Sequence, residues 1–132
     1  MNKICTNIKQ SKRLIELGID VDTADMYYQW YSETESALHV GKGSKKINAD
    51  CPAWSLSALL SMMPKSICIK QSEHSGYFYF LEWQFANDNS LRYVGHDGKC
   101  LIDIYSDHDV KWKDSIDTTF EMVCWLKENK KI

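Results

Sequence analysis

The chain is short of most features that announce an activity. Two prolines and six glycines in 132 residues leave no room for a low-complexity or collagen-like segment. The five cysteines (Cys5, Cys51, Cys68, Cys100 and Cys124) are odd in number and widely scattered. No Cys-x-x-Cys pair occurs, which removes the usual zinc and dithiol motifs and any obvious disulfide framework. No apolar run approaches the ~20 residues of a membrane span, and Met1 to Asn7 contains no hydrophobic signal region. A cytoplasmic, reduced protein is the expectation, with cysteines serving as small core hydrophobes. Charge of one sign is also missing. Sixteen basic residues face eighteen acidic ones, a net charge of −2, so neither nucleic acid nor membrane is an expected partner. Gly-x-Ser-x-Gly, a Walker A loop and a dinucleotide fingerprint are all absent, as are internal repeats.

What is present is apolar and aromatic. Hydrophobic residues make up 44% and aromatic residues 12%, the latter with five Trp and seven Tyr, a composition that folds rather than stays disordered. At 132 residues the chain reads as a single domain over 1–132.

Local signals divide it. Asn7 followed by Gln10 is a capping-box pair, and Gly18 suits a left-handed C-terminal closure in which Ile19 folds back on Leu14. They predict a helix over 8–17. Asp20, Asp22 and Asp25 lie close together but lack the central Gly and late Glu of a calcium loop, so a capped turn is expected. Met26 to Tyr31 reads as a strand with Met26, Tyr28 and Trp30 on one face and Tyr27, Gln29 and Tyr31 on the other. From Ser32 to Asp50 the pattern lapses into an expected loop. The stretch Pro52 to Pro64 carries Leu56, Leu59, Leu60 and Met63 at helical spacing, which predicts a buried helix over Trp54–Met63 delimited by the two prolines.

An antiparallel run then follows. Strands are predicted at Ser66–Gln71, Tyr77–Ala86, Leu91–Val94 and Lys99–Tyr105, with turns at Glu73–Gly76, Asn87–Ser90 and the Asp-Gly hairpin signal His96–Gly98. Cys100, Ile102 and Ile104 are expected to face inward. After a polar connection, Ser115 to Asn129 predicts a final helix, capped by Asp114 or Ser115, with apolar groups around most of its circumference. The predicted class is α+β: an antiparallel meander of three to four strands packed by two or three helices.

Three constellations offer function. Aromatic residues exceed what one small core needs, and Tyr27, Tyr28, Trp30 and Tyr31 are the candidate contact surface for a protein partner. An exposed aromatic strand of this kind also suits a homo-oligomer. The Gly- and Lys-rich stretch beside it, with Lys42, Lys45 and Lys46, is the candidate loop for an anion. With aromatics stacking a base, it would make the protein a small-molecule or nucleotide binder. His96 and His108, each followed by an aspartate, are the weakest candidates. They would supply a metal-assisted hydrolase, although both fall in predicted turns, where His and Asp are common for conformational reasons. No cofactor is indicated.

Three further stretches go together: Cys5 to Asp20 with Thr23 to Met26, Trp54 to Leu60 before Met63-Pro64, and Glu121 to Asn129. They resemble a group of small uncharacterised proteins encoded by phages and integrated mobile elements of gut Bacteroidales. The resemblance brings no functional residues with it. It implies a setting, the cytosol of a bacterial host. The first functional expectation set beside it is a non-enzymatic accessory protein that binds a host or phage protein through the aromatic segment 26–31 and the loop 39–47, modulation of host defence being one form of that role.

Overall fold

The computed structural model describes residues 3–41, 50–70, 75–84, 90–104 and 114–132. Two compact units are distinguished, Met1–Met62 and Met63–Ile132. Among the described residues the elements are two antiparallel sheets and three α-helices, an α+β fold.

In the first unit, α1 spans Ile8–Glu16. Its start is the expected capping box, with the Gln10 N–H donating to Asn7 Oδ1 at 2.7 Å and the Asn7 N–H to Gln10 Oε1 at 3.0 Å. Its end is a Schellman closure. Gly18 has φ +87°, the Gly18 N–H donates to the Ile15 carbonyl, and the Ile19 N–H donates to the Leu14 carbonyl. Asp20 then caps a single 3₁₀ turn over Val21–Thr23 by accepting the Asp22 N–H.

The aromatic strand β1 runs Met26–Trp30 and is the middle of a three-stranded sheet, with β2 (Ser36–Val40) on one side and β3 (Asp50–Ala53) on the other. β2 lies where the sequence pattern lapses, β3 overlaps the stretch from Pro52 read as opening a helix, and each corrects an expectation. Ser36–Val40 is a strand rather than loop, paired Tyr28 to Leu38 and Tyr27 to His39. Pro52 does not open a helix but lies in β3 opposite Tyr27. A proline is tolerated there because β3 is an edge strand, whose outer side needs no N–H for the ladder. The helix α2 therefore begins later, at Leu56, and runs to Ser61, with Ser55 as its cap. Trp54 precedes it.

The buried face of this sheet is set by one strand-like contact. Cys5 bridges Ser55 in antiparallel fashion, and the Thr6 N–H donates to the Trp54 carbonyl at 2.9 Å. The Thr6 hydroxyl accepts the Trp54 N–H at 3.1 Å and shares a hydrogen bond with the Ser11 hydroxyl at 2.8 Å. Cys5, Met26 and Ala53 pack beside this crossing, with Tyr28 and Leu38 against them. Tyr28 donates its phenol hydrogen to the Thr6 carbonyl at 3.0 Å. That leaves the Cys5 thiol to donate to the phenol oxygen, 3.5 Å away. Asp25 closes the other side, where its carboxylate accepts both the backbone N–H and the hydroxyl of Ser55. The Trp54 indole donates to the Thr23 hydroxyl at 2.8 Å.

The second unit is the expected meander. Strands β4 (Ser66–Lys70), β5 (Gly76–Gln84), β6 (Ser90–Val94) and β7 (Cys100–Ile104) follow one another in the sheet in chain order. Ile67, Leu91 and Tyr93 lie buried on one face, aligned in register with Tyr79, Leu81, Trp83, Ile102 and Ile104. The helix α3 (Ser115–Glu128), capped by Asp114, packs on β6 and β7 with Ile116, Met122, Val123 and Leu126 buried. The Tyr93 hydroxyl donates to the Pro64 carbonyl at 2.7 Å. One inward residue is corrected. Tyr93 pairs with Ile102 but Val94 with Cys100, so a bulge at Leu101 turns Cys100 to the solvent face. The sequence-predicted turns at Glu73–Gly76 and Asn87–Ser90, and the polar connection after Tyr105, lie largely outside the described residues. Among the described residues no helix is long and apolar enough to cross a membrane.

Two outcomes follow from these contacts. Thr6→Val keeps the shape of a fully buried side chain but leaves the Trp54 N–H and the Ser11 hydroxyl without their partner. A loss of about 2 kcal/mol in urea unfolding is expected; a change within error would show that the crossing is not held by this hydroxyl. Burial pushes the phenols of Tyr28 and Tyr93 upward, with the Cys5 contact adding to the shift at Tyr28. The neutral form is thus favoured on folding. Its contribution is complete below the ordinary phenol range near ~10 and is lost as pH rises through the raised folded values. In an ultraviolet titration Tyr28 and Tyr93 are expected to ionise after the exposed tyrosines, and only as the chain unfolds. Seven tyrosines ionising together would contradict this.

Candidate functional site

The four aromatic candidates of β1 do not form one surface. Alternation sends Tyr28 into the packed face, where its phenol is committed to Thr6 and Cys5. Tyr27 points to the opposite face and stacks on His39 of β2, ring centroids 5.2 Å apart and planes 23° from parallel. Only Trp30 and Tyr31 remain at the end of the strand, 37% and 66% exposed.

They stand at the tip of the β1–β2 hairpin, and the tip is internally fixed. The Tyr31 N–H donates to the Glu35 carbonyl at 2.9 Å, closing the loop. The Ser32 hydroxyl accepts the N–H groups of Thr34 at 3.3 Å and Glu35 at 3.1 Å, a side-chain turn that holds the intervening backbone. Trp30, Tyr31, Ser32 and Glu33 line an open depression of about 390 Å³. Two aromatic faces, a hydroxyl and a carboxylate therefore meet solvent on a short, hydrogen-bonded loop. Such a surface can bind by burying aromatic area and by charge.

The remaining sequence candidates separate in the same way. Lys42, Lys45 and Lys46 lie outside the described residues, as does His108. His96 stands in the β6–β7 turn with its ring edge against Phe80, centroids 5.9 Å apart. Its neighbour Asp97 is occupied by the turn itself. The Asp97 carboxylate accepts the Lys99 N–H at 3.0 Å, the Asp97 N–H donates to the Tyr77 hydroxyl at 3.2 Å, and Gly98 takes φ +79°. The contact with the Tyr77 hydroxyl holds the Asp97 carboxyl below the usual carboxylate range and pushes the Tyr77 phenol up. The Tyr77 ring also covers Gly95, where a Cβ would come within 2.3 Å of it. In this turn His96 is thus engaged with Phe80 and Asp97 with the backbone of Lys99. Among the described residues no group of three or more His, Cys, Asp or Glu side chains is placed to hold a metal ion.

The solvent face of the meander carries a feature that the sequence reasoning did not single out. Phe78 and Phe80 on β5 are 46% and 49% exposed, with Cys68 and Ser66 of β4 beside them in register. The Glu82–Arg92 ion pair bounds the patch at one end, and Asp103 lies opposite Arg92 on β7. Glu82 is the main reason the Arg92 guanidinium is held still more firmly in its charged form. The signal was the run of aromatics on alternate faces from Tyr77 to Trp83, which one buried face cannot absorb. The same signal was decisive at Met26–Tyr31.

The cysteines divide by environment. Burial pushes the Cys5 and Cys51 thiols up, away from the thiolate that a nucleophile or metal ligand requires. Cys68 and Cys100 are exposed, and none of the five forms a disulfide. Comparison with family models, with curated proteins and with solved structures finds no match to this chain.

In the folded protein, dithiobis(nitrobenzoate) is expected to label Cys68 and Cys100 promptly and Cys5 and Cys51 only on unfolding. Prompt labelling at Cys5 or Cys51, read by peptide mass, would contradict the placement of those thiols.

Proposed function

We propose that this chain is a non-enzymatic accessory protein of a phage or mobile element that binds a host or phage protein through the tip of the β1–β2 hairpin. One observation carries the reading: Trp30 and Tyr31 stand exposed on a loop that is already held by its own hydrogen bonds. An aromatic side chain left in water on a fixed backbone costs little further entropy when a partner covers it. Tyr and Trp in such positions are the residues that most often dominate binding energy. The setting, a bacterial cytosol in which the partner belongs to host defence or to the phage, belongs to the same proposal and rests on the resemblance of the Cys5–Met26, Trp54–Pro64 and Glu121–Asn129 stretches. The nucleotide-binding and metal-dependent readings depend on Lys42, Lys45, Lys46 and His108, all outside the described residues.

The test is affinity capture from lysate of a Bacteroidales host, with wild type beside Trp30→Ala and Tyr31→Ala. Tyr31→Ala is an exposed substitution expected to change stability by no more than about 0.5 kcal/mol. A specific protein retained by the wild type is expected to lose about 2 kcal/mol of binding in the Trp30 variant, roughly thirtyfold. Equal capture by all three proteins, or no specific capture by any, would sink the reading.

A further inference from the structure

The hairpin tip has a chemistry that narrows what its partner presents. Trp30, Tyr31 and Glu33 line the depression together with Ser32. Glu35 closes the same loop, so five successive residues, Tyr31 to Glu35, carry two acids and no cation. Among the described residues neither Glu33 nor Glu35 has a cationic partner. The π faces of indole and phenol are the negative ends of their quadrupoles, and a carboxylate beside them adds to the same sign. The site therefore disfavours phosphate and favours a cation able to lie flat.

We infer that this depression receives the guanidinium of an arginine borne on the surface of the protein partner. The inference rests on the protein-binding reading and adds the chemistry of the contact. Arginine fits better than lysine for three physical reasons. Its plane stacks on an aromatic ring, its fork matches a carboxylate, and it gives up water of hydration more readily than an ammonium does. The shape favours a side chain delivered by a protein over a free ligand. At about 390 Å³ the depression is at the small end of ligand sites, and it is open, lined among the described residues by Trp30, Tyr31, Ser32 and Glu33. Its walls are preorganised, because the Ser32 hydroxyl fixes the backbone on which Glu33 and Tyr31 are carried.

The probe is N-acetyl-arginine amide, with the citrulline analogue as its neutral isostere, titrated into the full chain at millimolar concentration and followed by the indole N–H resonance of Trp30. The arginine probe is expected to shift that resonance saturably, with an affinity about three- to fivefold above that of citrulline. Glu33→Gln, an exposed change, should abolish the difference, and raised salt should shrink it. Equal affinities for the two probes, or a difference untouched by Glu33→Gln, would overturn the inference. A captured protein that depends on Trp30 and Tyr31 but is neither displaced by N-acetyl-arginine amide nor weakened by Glu33→Lys would also overturn it, while leaving the protein-binding reading standing. Loss of Trp30-dependent capture altogether removes both.

Discussion

The first unit turns on one buried hydroxyl. Thr6 lies 48 residues from Trp54 in the chain, yet its side chain takes the Trp54 N–H while its own N–H meets the Trp54 carbonyl. A backbone group taken out of water must find a partner, and the cost of failing is larger than the gain of any one bond. The segment before α1 and the segment before α2 meet that requirement for each other. Ser11 is buried on α1 because it completes the same network, which explains why a polar residue stands in the packed face of a helix. Asp25 repeats the logic one strand further on by holding both polar groups of Ser55 and so fixing where α2 starts.

This polar skeleton decides which aromatics of β1 remain available outside. Tyr28 is drawn in because the Thr6 carbonyl needs a donor, and Tyr27 is occupied by stacking on His39. The tip residues Trp30 and Tyr31 lie beyond the reach of either arrangement. Their exposure results from a strand anchored at its Met26 end and closed at its far end by a self-bonded loop. The functional proposal therefore rests on what the fold leaves over after its internal needs are met.

The meander follows a simpler rule. Period-two alternation places Ile67, Leu91 and Tyr93 on the face that packs, and α3 covers β6 and β7. The opposite face keeps Phe78 and Phe80 in water beside the Glu82–Arg92 pair. At β7 a single extra residue breaks the alternation and reverses Cys100. The bulge, rather than the composition of the strand, decides that this thiol is on the surface.

The sequence by itself determined the features whose causes lie within a few residues. The capping box of α1, its glycine closure, the Asp20 turn and the Asp114 cap each depend on neighbours at most five positions away, as does the Asp-Gly signal of the Gly98 hairpin, to which Tyr77 adds a bond from further off. The same holds for the period-two strands of the meander and the apolar spacing of α2. Only the tertiary structure decided the rest. Ser36–Val40 and Asp50–Ala53 are strands because β1 offers them a ladder; Ser36–Val40 is short, and Asp50–Ala53 is shorter still and contains a proline, so neither has a strong preference of its own. The separation of Tyr28 from Trp30, two residues apart on one face, was equally illegible. A phenol that finds a buried carbonyl and an indole left partly exposed look alike in sequence, because the groups that distinguish them come from far along the chain.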